Sequence, residues 1–392
     1  MPAERLTPVE IGERLRLARE SAKLTQAEAA AAVNIARTTL VAIEQGRRVI
    51  RPAELQQLAK VCGTNANSLL RREAVHVELV PRFRKLTGAA SDAMQSASKL
   101  LSDMARAEVE LENLLGIQRS SNYPPERPIL PGNVAAQAEH DALELRQRIG
   151  LGLQPIQDVT TLLELEMGVR VYVRNLDPKI SGLFAYEEKL GACMLLNANH
   201  SRDRRNQTAI HELAHLVSTR REPDILFDNS PEQSREERYA NGFARAFLTP
   251  SRAVVQKLRE VTAGASHLTR RHVIILAHTF GVSREALVRR LEELEQTKPG
   301  TWDWFQANGR ITDQQAREVL GDAVSPDHEK TDANRPTTLR LHNLACEVWR
   351  RRLLTEGQLV RLLNLDRVEL RGLLSDAETE GEAGDEAPVL LR

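Results

Sequence analysis

His211-Glu212-Leu213-Ala214-His215, set in the Gly- and Pro-free run Thr208–Thr219, decides how the middle of this chain is read. Residues four apart on an α-helix share a face, so both imidazoles can reach one zinc ion while Glu212 reaches the water bound to it. With 10 His and 54 acidic residues in 392, chance places an H-E-x-x-H in only about 0.02 chains of this kind. Downstream, Glu237 in Glu237-Arg-Tyr-Ala-Asn-Gly-Phe-Ala-Arg-Ala-Phe-Leu248 offers a third ligand. Ile210, Leu213 and Val217 form an apolar stripe beside the His face, and Phe243 and Phe247 form one beside Glu237. The two helices are therefore expected to pack and bring the ligands together. Two His, one Glu and an open position make the donor set of a catalytic zinc.

Around this helix, Asn133–Ile149 and Asp158–Met167 read as helices, and Val169–Arg174, Gly182–Tyr186 and Ala192–Asn197 alternate or run apolar as short strands do. A small sheet beside such a site can hold an extended peptide as an added edge strand.

At the amino terminus, Ile11–Ser21 reads as a helix with Leu15 and Ala18 inward. Thr25 opens a second helix as N-cap, with Glu28 completing a capping box. Asn34-Ile35 makes a short turn, Arg37–Gln45 a third helix stopped by Gly46, and Pro52–Cys62 a fourth. Two short helices with a tight turn between them are a helix-turn-helix.

Both regions resemble known families. Thr208-Ala-Ile-His-Glu-Leu-Ala-His215, Glu237-Arg-Tyr-Ala-Asn241-Gly-Phe-Ala244 and Leu248-Thr-Pro250 resemble the ImmA/IrrE metallopeptidases, which cut repressor proteins in stress and mobile-element responses. The likeness covers roughly Asn133 to Glu295, including Gly182, the strand ending at Asn197 and Phe280-Gly-Val-Ser-Arg-Glu-Ala-Leu287. It implies His211, His215 and Glu237 as zinc ligands and Glu212 as general base. Gln207 departs from the pattern, which has an aromatic residue just ahead of the site helix. Leu24-Thr-Gln-Ala-Glu-Ala-Ala30 and Ile43-Glu-Gln-Gly-Arg47 resemble the Cro/C1 (XRE) repressors. That resemblance puts Arg37 and Thr38 on base edges of double-stranded DNA, Gln26 on the backbone and Arg47 among the DNA-binding residues. Ala36 departs from it, since Ser or Thr would cap there, and the loss costs about 1 kcal/mol.

Composition sets the frame. The length suits two or three domains, and no apolar run approaches a membrane span. Cys62, Cys193 and Cys346 are an odd, widely spaced set, pointing to reduced thiols and a cytoplasmic protein. Net charge is zero, yet residues 1–72 carry twelve Lys+Arg against seven Asp+Glu, a surplus that attracts phosphate, while Ser375–Glu386 is acidic.

Ala90, Ala93, Ala97, Leu100, Met104, Ala107, Leu111 and Leu114 alternate spacings of three and four, an a/d seam over Ala90–Leu114. It could pair two protomers as a homodimer or lie against its own catalytic domain. Ser120–Pro131 reads as a Pro-rich linker. Leu276–Glu295 and Leu353–Leu374 look like further helix pairs, with Val282-Ser283 and Leu365-Asp366 at the turns, and Thr301–Phe305 reads as a small local core. The expected fold is mainly α with a central α+β, zincin-like metallopeptidase domain, an N-terminal five-helix helix-turn-helix bundle and a C-terminal helical region. The domains are expected at 1–75 (DNA-binding), 76–132 (heptad helix and linker), 133–298 (metallopeptidase), 299–376 (helical) and 377–392 (acidic tail). The whole reads as a DNA-binding regulator with a zinc-dependent endopeptidase acting on a repressor-type protein. The alternative is a repressor whose peptidase-like domain only senses a metal or ligand.

Overall fold

The computed structural model describes residues 7–64, 69, 92–220, 223–227, 234–321 and 337–382. The chain divides into two compact units, Met1–His76 and Val77–Arg392.

The first unit holds α1 (Pro8–Ser21), α2 (Gln26–Ala32), α3 (Arg37–Glu44) and α4 (Pro52–Val61). α1 begins three residues before the apolar pattern does, because Thr7 and Glu10 form a capping box and Pro8 takes the first turn. Thr25 and Glu28 cap α2 as expected, and Ala36 starts α3 without a side-chain cap. Asn34 makes the turn at φ 56°. Leu15, Ala29, Leu40, Ile43, Leu55 and Leu58 fill the core. A buried ion pair, Arg19 Nε to Glu44 Oε1 at 2.6 Å, joins α1 to the end of α3. The fifth helix of the expected bundle falls beyond Thr64, outside the described residues except for Leu69.

The second unit is built on a four-stranded sheet of order β1-β3-β2-β4, from β1 (Arg170–Arg174), β2 (Ile180–Glu187), β3 (Gly191–Asn197) and β4 (Asp224–Phe227). β1 runs parallel to β3, and the other pairs are antiparallel. β4 is a strand that the sequence did not announce. Strand alternation sorts the side chains into two layers. Val171, Phe184, Met194 and Leu196 join the core of α6 (Val134–Arg148), α7 (Arg202–Ser218) and α8 (Arg235–Leu248). Arg170, Tyr172, Leu183 and Leu195 have the opposite parity, the side on which α5 (Asp92–Leu115) packs.

α5 therefore spends its seam inside its own unit. Ala97, Met104, Ala107 and Leu111 are buried against the sheet and against α14 (Leu339–Arg350), which is the self-packing alternative. Ala90 lies outside the described residues. Beside the seam, Glu108 and Glu112 are buried and enclosed by guanidinia. Arg170 reaches Glu112 at 2.7 Å and Glu108 at 3.0 Å, Arg340 reaches Glu112 at 2.7 Å, Arg119 bonds Glu108, and Tyr172 donates to Glu108 at 2.6 Å. Burial raises the Glu108 carboxyl, but the guanidinia of Arg170 and Arg119 outweigh it and hold the group below the ordinary carboxylate range.

The expected linker is strapped to the core. Asn122 N donates to Met167 O at 3.0 Å, Arg127 N to Val217 O at 2.7 Å, and Tyr123 Oη bridges Gly168 O and Ala192 N at 3.0 Å each. The expected helix at Asp158–Met167 is a short turn, Val159–Thr161, that widens into a π-helical turn, Leu162–Glu166. After α8 come α9 (Ser251–Thr262), α10 (Arg270–Phe280), α11 (Arg284–Glu293), α12 (Thr301–Ala307) and α13 (Asp313–Leu320). Trp302 and Phe305 are buried in the main core rather than in a separate cluster, while Trp304 is exposed. α14 is followed by α15 (Glu356–Leu363) and α16 (Arg367–Glu382). Most of the segment between α13 and α14 lies outside the described residues, as does the chain after Glu382. Among the described residues no helix is long and apolar enough to cross a membrane.

Candidate metal centre

α7 begins six residues before the run first read as helical, and every residue from Thr208 to Ser218 is buried. Ile210 and Leu213 face the core, which turns His211 and His215 toward α8. Ser234 caps α8 by accepting the Glu237 amide at 3.0 Å, which fixes Glu237 in the first turn, where orphan N–H groups and the helix dipole favour a carboxylate. The far end of α8 is held by two buried arginines. Arg146 donates to Phe247 O at 2.5 Å and Arg290 to Thr249 O at 3.2 Å, satisfying carbonyls that the helix end leaves open.

Three donor atoms meet. His211 Nε2 and His215 Nε2 are 3.3 Å apart, and Glu237 lies 3.5 Å from the first and 3.7 Å from the second. Ligands about 2.0–2.1 Å from a tetrahedral zinc stand roughly 3.3–3.4 Å from one another, so the spacing fits such an ion. His211 Nδ1 lies 2.9 Å from Asn241 Oδ1, and His215 Nδ1 lies 3.1 Å from Thr219 Oγ1. In the tautomer that donates from Nδ1, both Nε2 lone pairs point to the shared space. Burial drives His215 down to about 4, which keeps it neutral at pH 7. Glu237 is the most open of the three, with a quarter of its side chain exposed, so the centre meets solvent on that side.

Glu212 is fully buried, one residue along from His211. Gly182 on β2 lets the sheet approach this helix closely: a Cβ there would stand 2.6 Å from Thr208 Cγ2, and Glu212 Oε1 lies 3.4 Å from the same point. A second acidic group, His140, Asp141 and Glu144, does not offer a comparable cradle. Arg127 already binds Asp141 at 2.9 Å and Glu144 at 2.6 Å, and Tyr239 donates to Asp141 at 2.9 Å. The surface groove along α9, lined by Ser251, Val255, Arg259 and Leu294 among others, contains none of the donors.

Three of the four centre residues read from the sequence, His211, His215 and Glu237, converge, and Glu212 is buried on the helix that carries both His. Asn241 and Thr219 were missed as their supports. The signal was present, since each stands four residues beyond a ligand and so shares its face of the helix. In the first unit Arg37, Thr38 and Arg47 are exposed. Gln26 is half-buried and donates one amide hydrogen to Glu44 Oε2 at 2.8 Å, which orients the side chain and leaves its second hydrogen for another acceptor.

Residues 165–292 match the family model of the IrrE N-terminal-like domain, a peptidase M78 domain, and residues 10–72 match that of a helix-turn-helix domain. The chain thus carries a DNA-binding fold ahead of a metallopeptidase-like domain. No curated protein matches the chain. Among solved structures, the crystal structure of ComR from Streptococcus suis aligns over 97% of this chain and 97% of its own at 12% identity, with a TM-score of 0.16, too low to relate the two folds.

Proposed function

We propose that this chain is a DNA-binding regulator whose central domain is a zinc-dependent endopeptidase, cleaving a repressor-type protein in a stress or mobile-element response. The observation that carries the reading is the set of three donor atoms 3.3–3.7 Å apart with Glu212 buried on the same helix. Two imidazoles among three donors suit zinc better than a hard, oxygen-seeking ion. His211, His215 and Glu237 would hold it, steadied by Asn241 and Thr219. When bound, such an ion supplies Lewis acidity, polarising a carbonyl and lowering the pKa of water.

The chain's own residues do the rest. Glu212 takes the proton of the attacking water and passes it to the leaving amine. A mere metal sensor has no use for that carboxylate, which favours the enzyme over the sensor. β4 is an edge strand packed on α7, so an extended peptide can add to its outer side and reach the centre without unfolding the sheet. In the first unit Arg37 and Thr38 read base edges, while Gln26 and Arg47 hold the backbone.

Metal analysis of the purified protein tests the centre. About one zinc per chain is expected, lost when His211 and His215 are both changed to Ala. Equal zinc in the wild type and that double variant overturns the assignment. Zinc binding by the wild type with no cleavage of a repressor-type protein would leave only the sensor. On DNA, Arg37→Ala is expected to relax preference at one base position by about 1–3 kcal/mol, and Arg47→Ala to weaken all sequences alike.

A further inference from the structure

The last three helices repeat the reader of the first unit. Leu354-Thr-Glu-Gly-Gln-Leu-Val-Arg-Leu-Leu-Asn364-Leu-Asp-Arg367-Val-Glu-Leu370 runs in register with Leu24-Thr-Gln-Ala-Glu-Ala-Ala-Ala-Ala-Val-Asn34-Ile-Ala-Arg37-Thr-Thr-Leu40. Leu, Thr, Asn, Arg and Leu coincide at the positions that start, turn and restart the helices. Local structure coincides too. Thr355 caps α15 with Gln358 as Thr25 caps α2 with Glu28. Asn364 and Asn34 are both left-handed, at φ 52° and 56°. The next amide then bonds back five residues, Leu365 N to Val360 O at 3.2 Å and Ile35 N to Ala30 O at 3.0 Å.

The preceding helices also end alike. Arg352 and Lys23 turn left-handed at φ 56° and 58°, followed by Leu353 N to Val348 O at 3.0 Å and Leu24 N to Arg19 O at 3.1 Å. α14 and α15 pack on α16 as α1 and α2 pack on α3. Leu359, Leu363 and Leu370 are buried where Ala29, Val33 and Leu40 are.

The same turn occurs a third time, between α10 and α11, with Gly281 at φ 62° and Val282 N bonded to Ala277 O at 3.1 Å. There Arg284, the counterpart of Arg37, is ion-paired with Asp313, and α13 packs on α10, so that face is occupied. At α16 it is open. Helical spacing puts Arg367, Val368 and Arg371 on one side of α16, with Leu373 buried across the helix and Leu370 and Leu374 buried along the flank next to Arg367. Arg367 is exposed, Val368 is 80% exposed, and the Arg371 side chain, 3.0 Å from Glu356, is 70% exposed. Residues 337–375 carry seven Arg against four carboxylates. In the sequence the acidic run begins at Asp376, nine residues after Arg367.

We propose that α14–α16 is a second duplex-DNA-binding module, seating the first turn of α16 in the major groove with Arg367 and Arg371 on guanine edges or phosphates and Val368 on a thymine methyl. The proposal does not rest on the peptidase reading.

The test titrates the full-length protein against random-sequence duplexes about 30 base pairs long, enough for two readers a helical turn or more apart, over a range of salt. Arg37→Glu with Thr38→Glu is expected to leave residual, salt-dependent binding, and adding Arg367→Glu to remove it. Arg367→Glu alone is expected to weaken binding about tenfold and to lower the salt slope by about one. Circular dichroism checks that each variant is folded, and Arg367→Ala repeats the test with a smaller change. If the Arg37 variant alone abolishes binding and both Arg367 variants match the wild type, the proposal is wrong. It is equally wrong if Val368→Asp changes the oligomeric state in light scattering while DNA affinity stays the same, because the face is then a protein contact.

Discussion

On one face of the central sheet, buried Glu108 and Glu112 are enclosed by Arg119, Arg170 and Arg340; on the other, His211, His215 and Glu237 converge on one another and are oriented by the neutral Asn241 and Thr219. Both faces bury polar groups, at a cost that demands partners. The first supplies the countercharge from within the chain and leaves little capacity for a ligand. The second uses its partners to hold the rings at one angle and keeps the lone pairs turned inward. Compensated charge builds the fold, and imidazoles held at one angle by neutral hydrogen-bond partners build a site.

The largest effect is expected at Glu212. Glu212→Gln should lower hydrolysis by about 10²–10⁴-fold while zinc content and the urea midpoint stay at wild-type values. If zinc or stability falls with activity, the α7 face is as structural as the α5 face and the contrast fails. Next is Arg170→Ala, which takes from Glu108 and Glu112 the most buried of their three guanidinium partners and should cost about 3 kcal/mol of unfolding free energy. A loss under about 1 kcal/mol in urea titration would mean that water enters the cluster and screens it.

A pH effect separates the two faces further. Beside the cluster, burial pushes the Glu164 carboxyl up to about 7 from 4.5. The folded state then keeps a proton that the unfolded chain has lost. Its contribution is complete below pH 4.5, declines as pH rises and is gone above about 7, at no more than about 1.4 kcal/mol per pH unit. Glu164→Gln, which stays neutral, should flatten that part of the stability profile, and an unchanged slope between those limits would exclude this group as its source. The smallest effect is expected for Asn241→Ala, which should weaken zinc binding about 10–100-fold and leave stability almost unaltered. Unfolding of the variant in the presence of zinc would reclassify Asn241 as part of the core.

Much of the centre was legible because helical spacing is a local property. His211 and His215 share a face wherever their helix lies, and Glu237 could be paired with them once both apolar stripes had been seen. The rest depended on neighbours. Asp224–Phe227 is too short to show alternation and becomes a strand by pairing with β2. Ser120–Pro131 has a linker's composition, yet Tyr123 and Arg127 find partners in distant segments and tie it down. Glu108 and Glu112 stand four apart beside an apolar seam, a pattern that fits a solvated edge as well as a buried cluster until Arg170 and Arg340 are placed against it.

The sequence by itself determined the chemistry available at the centre and the two helix-turn-helix turns, since ligand spacing, N-caps and left-handed Asn residues act within a few residues of one another. Tertiary structure decided which apolar seam is consumed at home, which carboxylates are neutralised and which first turn is left open. Those outcomes turn on desolvation, and a polar group buries or stays in water according to what the rest of the chain brings against it.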